Sequence, residues 1–273
     1  MESTKRGPEN TSAAQTCVLR VEDLDAAIFD LDGVITQTAR VHAQAWKQLF
    51  DDFLSARAQR TGEPFRPFDV TTDYPDYVDG KPRFDGVDSF LRSRGIELPW
   101  GEPSDGPEEA TIYGLGNRKN RYFHERLEHD GVEVFDSSVR LVKSMRQAGI
   151  KTALASSSRN AAAVLQAAGL DDLFDARIDG NDLSRLHRKG KPAPDLFLLA
   201  AERLGAEPSR AIVVEDAISG VEAGAAGGFL HVIGVDRRGA PDELREAGAD
   251  IVVPDLAFLK VDGPRSEATR MGS

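Results

Sequence analysis

Four short apolar runs, separated by segments of helical period, organise the second half of the chain. They are KTALAS (151–156), AIVVED (211–216), LHVIGV (230–235) and ADIVVPD (249–255), each of strand length. Between the first two lie AAAVLQAAGL and DLFLLAAERLG. Their apolar residues recur at helical spacing, and each segment carries a glycine placed as a C-cap. Strand and helix alternating in this way predict an α/β fold, a doubly wound parallel sheet covered by helices on both faces. One further apolar run, AAIFD (26–30), stands apart near the N-terminus.

The stretch between AAIFD and residue 136 has a different pattern. Where it is periodic it is helical: TARVHAQAWKQLFDDFLSARAQR, GVDSFLRSRG and EEATIYGLGNRKNRYFHERLEHDG. A Pro- and Asp-rich segment, GEPFRPFDVTTDYPDYVDGKP, interrupts it. The simplest topology places AAIFD in the sheet, leaves it for a helical insert, and returns near residue 136. The expected layout is a disordered arm over 1–21, a core of 22–37 with 136–262, an inserted helical cap over 38–135, and a disordered tail over 263–273. An insert leaving from a strand end lies over the edge where open α/β sheets bind ligands.

Composition narrows the class without naming it. At 273 residues, 40% hydrophobic and 29% charged, the chain can bury a substantial core. A formal net charge of -11 argues against a broad nucleic-acid or anionic-membrane surface. A local basic cluster would still suit a phosphorylated small molecule. The single Cys17 excludes an intrachain disulfide and a cysteine-based zinc site. No run has the length a membrane span needs, and the polar N-terminal segment lacks an apolar secretory core. A cytoplasmic monomer is the expectation.

The candidate chemistry lies at the strand ends. DLDGVITQT (30–38) puts Asp30 and Asp32 on one short segment, where the two carboxylates repel and are costly to desolvate. Alone, the pair fits a solvated turn or a helix N-cap. A calcium loop fails, because the twelfth position from Asp30 is Val41 rather than Glu. KTALAS, however, ends at Ser156, with Ser158, Arg159 and Asn160 following. AIVV ends in Glu215 and Asp216, and the loop RKGKPAPD supplies Lys189 and Lys191. A parallel sheet brings all of these to one edge. Acids, a hydroxyl and a lysine converging there suit phosphoryl transfer: Mg²⁺ takes a few carboxylates plus phosphate oxygens, and a carboxylate can attack phosphorus. Fixed cations and donors then hold the transferring oxygens, while a second acid moves the proton.

DLDGVITQT, ALASSSRN, GKPAPD and VVEDAISGVEAG, in this order, resemble the four motifs of the haloacid dehalogenase superfamily. The likeness runs from about residue 25 to 260 and is greatest to the β-phosphoglucomutase group, whose helical cap follows the first motif. The resemblance implies Asp30 as the nucleophile and also a ligand to Mg²⁺, and Asp32 as the general acid/base, with the Asp32 backbone carbonyl on Mg²⁺. It implies Ser156 and Lys191 on the phosphoryl group, and Glu215 and Asp216 at the metal. Thr38 would stand at the cap hinge. His42, Trp46, Arg83 and Lys119 of the cap, with Ser158 and Asn160 of the core, would contact the substrate's sugar or its other phosphate. Gln37 stands where the group usually has Asp, Arg159 where Lys is common, and Gly86 where a small hydroxyl residue is expected.

Plainer readings compete for the cap residues. His42 and Trp46 suit packing positions, Arg83 a solvated ion pair, and Lys119 a solvated helix face, since only one cation of RKNR need point inward. The function implied is a mutase converting β-glucose 1-phosphate to glucose 6-phosphate. A sugar-phosphate or small-metabolite phosphatase uses the same catalytic set. A non-catalytic binding protein is permitted by fold alone.

Overall fold

Strand β2 (Ala26–Phe29) is buried on both faces, which only a sheet sandwiched between helices can satisfy. The computed structural model describes residues 16–79 and 81–263. Before β2 comes β1 (Cys17–Leu19), and after it the long helix α1 (Ala39–Thr61), α2 (Arg83–Ser93), α3 (Ile112–Asp130) and α4 (Asp136–Gln147). The chain continues through β3 (Lys151–Ala155), α5 (Ala161–Ala167), β4 (Ala176–Ile178), α6 (Gly180–Arg185), α7 (Asp195–Leu204) and β5 (Ala211–Glu215). It closes with α8 (Ile218–Ala226), β6 (His231–Val235), α9 (Pro241–Glu246), β7 (Ile251–Val253) and β8 (Leu259–Val261).

Six strands form one parallel sheet in the order β4-β3-β2-β5-β6-β7. Side chains alternate across it. Ala27 and Phe29 face a core with Leu141, Met145 and Val164 of α4 and α5, while Ala26 and Ile28 face Phe197 and Ala200 of α7. β2 lies between β3 and β5, so the chain winds outward in both directions from it. The crevice at its C-terminal end is the topological switch point.

α1, α2 and α3 have their own core, in which Trp46, Leu49, Phe50, Phe68, Val87, Phe90 and Leu115 pack together. Phe50 is its centre: its ring lies 5.3 Å from Trp46, 5.2 Å from Phe68 and 4.0 Å from Phe90. Phe68 comes from the Pro- and Asp-rich segment, whose Tyr74–Val78 forms one turn of π-helix. Asp51 and Lys47 of α1 bond the Phe68 N–H and C=O, at 2.7 and 2.9 Å. The long loop is thereby fixed to the helical layer.

Three features differ from the sequence reading. Residues 1–15 and 264–273 of the expected arm and tail lie outside the described residues, but the arm does not extend to 21. Cys17–Leu19 pairs in parallel with β8, and the Val21 N–H donates to Asp262 at 2.7 Å. Two strands of only three residues each are too short to carry a periodicity that can be read. β4 was likewise unanticipated, because its three residues have Arg177 at the centre. Of the two cap glycines, Gly205 directly ends α7 in a left-handed conformation, whereas Ala168 ends α5 and Gly169 follows.

Phe50→Ala is expected to cost about 3–5 kcal/mol, read by urea denaturation. A loss below about 1 kcal/mol would show that the cap core does not depend on this ring.

Candidate active site

Asp30 follows β2 directly, and its N–H donates to Val214 O at 3.0 Å, which extends the ladder by one residue. Phe29 pairs with Leu154 on one side and Val214 on the other. That register brings Asp30 level with Glu215 and one step short of Ser156. Lys191, in the loop before α7, places its Nζ 2.5 Å from Asp30 Oδ1 and 2.7 Å from Glu215 Oε1, and 5.1 Å above the Phe197 ring. Glu215 uses its other oxygen to accept the Asp216 N–H at 2.8 Å. Oxygens of Asp30, Glu215 and Asp216 all lie within 4.8 Å of one another.

Two glycines make this closeness sterically feasible. Gly33 has a φ of +82°, and a Cβ there would overlap the Asp216 carboxylate. A Cβ at Gly220 would overlap the Glu215 carboxylate. Gly33 therefore serves the turn and also leaves the space that Asp216 fills.

Three carboxylates face one ammonium, and the electrostatics follow from that deficit. Burial, then the Glu215 charge, holds Asp30 well above the usual carboxylate range, with Lys191 pulling the other way. The same two causes raise Asp216 to about 8. Lys191 is held above its ordinary value: Asp30 and Glu215 outweigh the opposing effect of burial, its largest single influence. A hard divalent cation suits this set, since every donor is an oxygen and the unbalanced charge is negative. Both Glu215 oxygens already have partners, which leaves Asp30 and Asp216 better placed to offer oxygens directly.

Asp32 stands outside that group of three. Its Oδ1 accepts the Thr38 hydroxyl, and burial raises its pKa while the Thr38 bond lowers it. Thr38 occupies the N-cap position of α1 but makes no side-chain capping bond; its hydroxyl serves Asp32 instead. Gln37 has an exposed side chain and donates only its N–H, to Glu133 O at 2.9 Å. That bond places no demand on the side chain, so Gln is accommodated as well as Asp.

The cap brings cations over this edge. Lys119 is 4% exposed and donates to His42 Nδ1 at 2.8 Å, with its Nζ 5.1 Å from the Trp46 ring and 4.9 Å from the Phe123 ring. Its neighbours in the basic run point elsewhere: Arg118 bonds Pro107 O and Arg121 pairs with Glu108. Burial and the charges of Lys119 and Arg83 push His42 well below its ordinary value, so it is the neutral acceptor. Arg83 begins α2 and has a buried Nε with no hydrogen-bond partner. Burial and then the core's Arg159 lower its pKa. Trp46 serves packing, and Gly86 lies against it, where an added Cβ would stand 3.4 Å from the indole.

Ser156 is 1% exposed and its Oγ accepts the Ser158 N–H at 3.1 Å; the Ser158 Oγ in turn accepts the Asn160 N–H at 3.1 Å. Asn160 Nδ2 donates across to Asn120 Oδ1 of α3 at 2.8 Å. The sequence reading passed over Asn120. It adjoins Lys119, but nothing in its spacing shows that α3 meets the start of α5.

Residues 24–228 match the family described as haloacid dehalogenase-like hydrolase. The chain belongs to this family. It is 53% identical over 241 residues to the β-phosphoglucomutase of Mycobacterium bovis, spanning 87% of this chain and 92% of that one. The phosphorylated carbohydrates phosphatase of Thermotoga maritima is 30% identical over 242 residues, spanning 87% and 98%. Among solved structures, the β-phosphoglucomutase of Clostridium difficile superposes with a TM-score of 0.66 at 28% identity, covering 87% and 93% of the two chains. Among the described residues, no helix is long and apolar enough to cross a membrane.

Burial, and next the charge of Arg83, lowers Lys119 to about 7, while Asp32 opposes them. In the unfolded chain a lysine titrates near 10.4. Between these values the folded chain binds fewer protons than the unfolded one, so stability rises with pH across the window. The melting temperature of the wild type, relative to Lys119→Met, is expected to climb from pH 7 to 9. A constant difference would contradict a depressed Lys119.

Proposed function

We propose that the protein is a Mg²⁺-dependent phosphotransferase that works through an aspartyl-phosphate, a β-phosphoglucomutase converting β-glucose 1-phosphate to glucose 6-phosphate. The observation that carries the reading is the Asp30–Lys191–Glu215 group with Asp32 held apart on Thr38. This separates a nucleophile from a proton carrier on a single turn. The 53% identity to a β-phosphoglucomutase over most of both chains supports the sugar and the reaction.

In this reading phospho-Asp30 passes its phosphoryl group to the 6-hydroxyl of β-glucose 1-phosphate while the Asp32 carboxylate takes the hydroxyl proton. The freed Asp30 carboxylate then attacks the 1-phosphate of the bisphosphate, and the Asp32 carboxyl gives the proton back to the leaving sugar oxygen. This releases glucose 6-phosphate and restores phospho-Asp30. Lys191 and the Ser156 hydroxyl bind the oxygens of the transferring group. Asp30, the Asp32 carbonyl and Asp216, with Glu215 behind them, would hold Mg²⁺, which would supply positive charge against those oxygens. Arg83, Lys119 and His42 of the cap, with Ser158 and Asn160, hold the sugar and its other phosphate. A closed cap excludes water, so the phosphoryl group passes to the sugar.

A phosphatase reading on the same residues is favoured by one observation, the 30% identity to a phosphatase of phosphorylated carbohydrates. Incubation with Mg²⁺ and β-glucose 1-phosphate, following glucose 6-phosphate against free phosphate, separates the two. The mutase reading expects glucose 6-phosphate in excess, and free phosphate as the main product overturns it. Arg83→Ala is expected to lose transfer between sugars while keeping some phosphate release. Equal loss of both counts against a cap role for Arg83.

A further inference from the structure

Arg237, two residues beyond β6, is outside the set described above and joins four chain segments. Its Nε donates to the Gly33 carbonyl at 2.8 Å, in the turn that carries Asp30 and Asp32. Its guanidinium lies over the Phe135 ring, 3.6 Å from the centroid. Its Nη1 is 3.5 Å from Asp255 Oδ2, just beyond β7. The side chain is 19% exposed, and Nη2 is buried without a partner.

Gly33 and Phe135 mark the base of the two chain segments that join cap to core. Above them Thr36 pairs with Val134 in an antiparallel bridge. The Gln37 N–H donates to Glu133 O and the Phe135 N–H to Ile35 O, each at 2.9 Å, while the Ser138 hydroxyl bonds Val34 O at 2.6 Å. Any rotation of the cap passes through this ladder. Its lower end leads within three residues to Asp30, whose placement sets the geometry of attack. An apolar side chain would cover Phe135 without the cost of burying a partly unpaired guanidinium. What it would not supply is a donor for the Gly33 carbonyl tied to the far side of the sheet.

We infer that Arg237 is a positioning residue that fixes the base of the cap hinge to the sheet, so that movement of the cap is not transmitted to Asp30 and Asp32. Its kinetic consequence rests on the phosphoryl-transfer reading; its mechanical consequence does not.

Arg237→Met keeps an apolar stem over Phe135 and removes the donor and the charge. In this variant the Gln37 and Phe135 amides are expected to exchange hydrogen at least about tenfold faster by NMR, with β5 amides unchanged. With p-nitrophenyl phosphate as a general phosphoryl donor, kcat is expected to fall about 10- to 100-fold while KM stays within about twofold. A merely structural role would lower the melting temperature and leave the kcat of the folded variant unchanged. Unchanged exchange at Gln37 and Phe135 overturns the inference whatever turnover does. If Arg237→Met does not fold, the exchange comparison is made on Arg237→Lys, with acceleration supporting the inference and unchanged rates overturning it. Absence of hydrolysis by the wild type would count against the phosphoryl-transfer reading alone, and exchange would still decide the role of Arg237.

Discussion

Negative charge is concentrated where the central strand of the sheet ends. Asp30, Glu215 and Asp216 share a space less than 5 Å across, and Lys191 stands among them, paired with Asp30 and Glu215. Such a group is unfavourable in a protein interior unless cations or fixed dipoles offset it. The surrounding architecture meets that demand piece by piece. The sheet register brings β2 and β5 to the same level, Gly33 and Gly220 remove the side chains that would hold the acids apart, and the Asp216 N–H bonds Glu215. The charge still left over is what a divalent cation balances.

The cap has the opposite imbalance. Lys119 is buried against Trp46 and Phe123 with a neutral histidine as its bonded partner, and Arg83 has a buried nitrogen without one. Arg159 of the core adds a third positive charge near Arg83. An acidic floor able to hold a cation, beneath a cationic roof, is complementary to a phosphorylated polyol, whose phosphates need cations and whose hydroxyls need donors and acceptors. The link between roof and floor is the two-segment hinge, where Thr38 bonds Asp32 at the point where α1 begins. The start of the cap and the Asp32 carboxyl, proton carrier of the proposed reaction, thus share one side chain.

The strand ends carrying Asp30, Ser156 and Glu215 were legible because each follows a run of apolar residues long enough to read, and a parallel sheet sends all such ends to one edge. Helical period likewise exposed the three long cap helices. β1, β4 and β8 were not legible, being three residues each with charged or exposed positions among them. Periodicity could count but not choose the inward cation of RKNR; the family resemblance named Lys119, and the structure gives the reason, since Arg118 and Arg121 are engaged by Pro107 and Glu108 of the preceding loop. Arg237 left no signal, because a lone arginine after a strand reads as solvated until Gly33 and Phe135 are seen beside it. Gln37 was the unexplained letter of the first motif; its exposed side chain shows why the position tolerates it.

The central claim is that the Asp30 carboxylate forms a bond to phosphorus when a divalent cation balances its neighbours. Mass spectrometry of peptides from protein quenched in acid, after brief incubation with labelled β-glucose 1-phosphate, tests it most directly. The account predicts label on Asp30 that requires Mg²⁺ and is absent in Asp30→Asn. Label on another residue, or label on Asp30 that is indifferent to Mg²⁺, would contradict it.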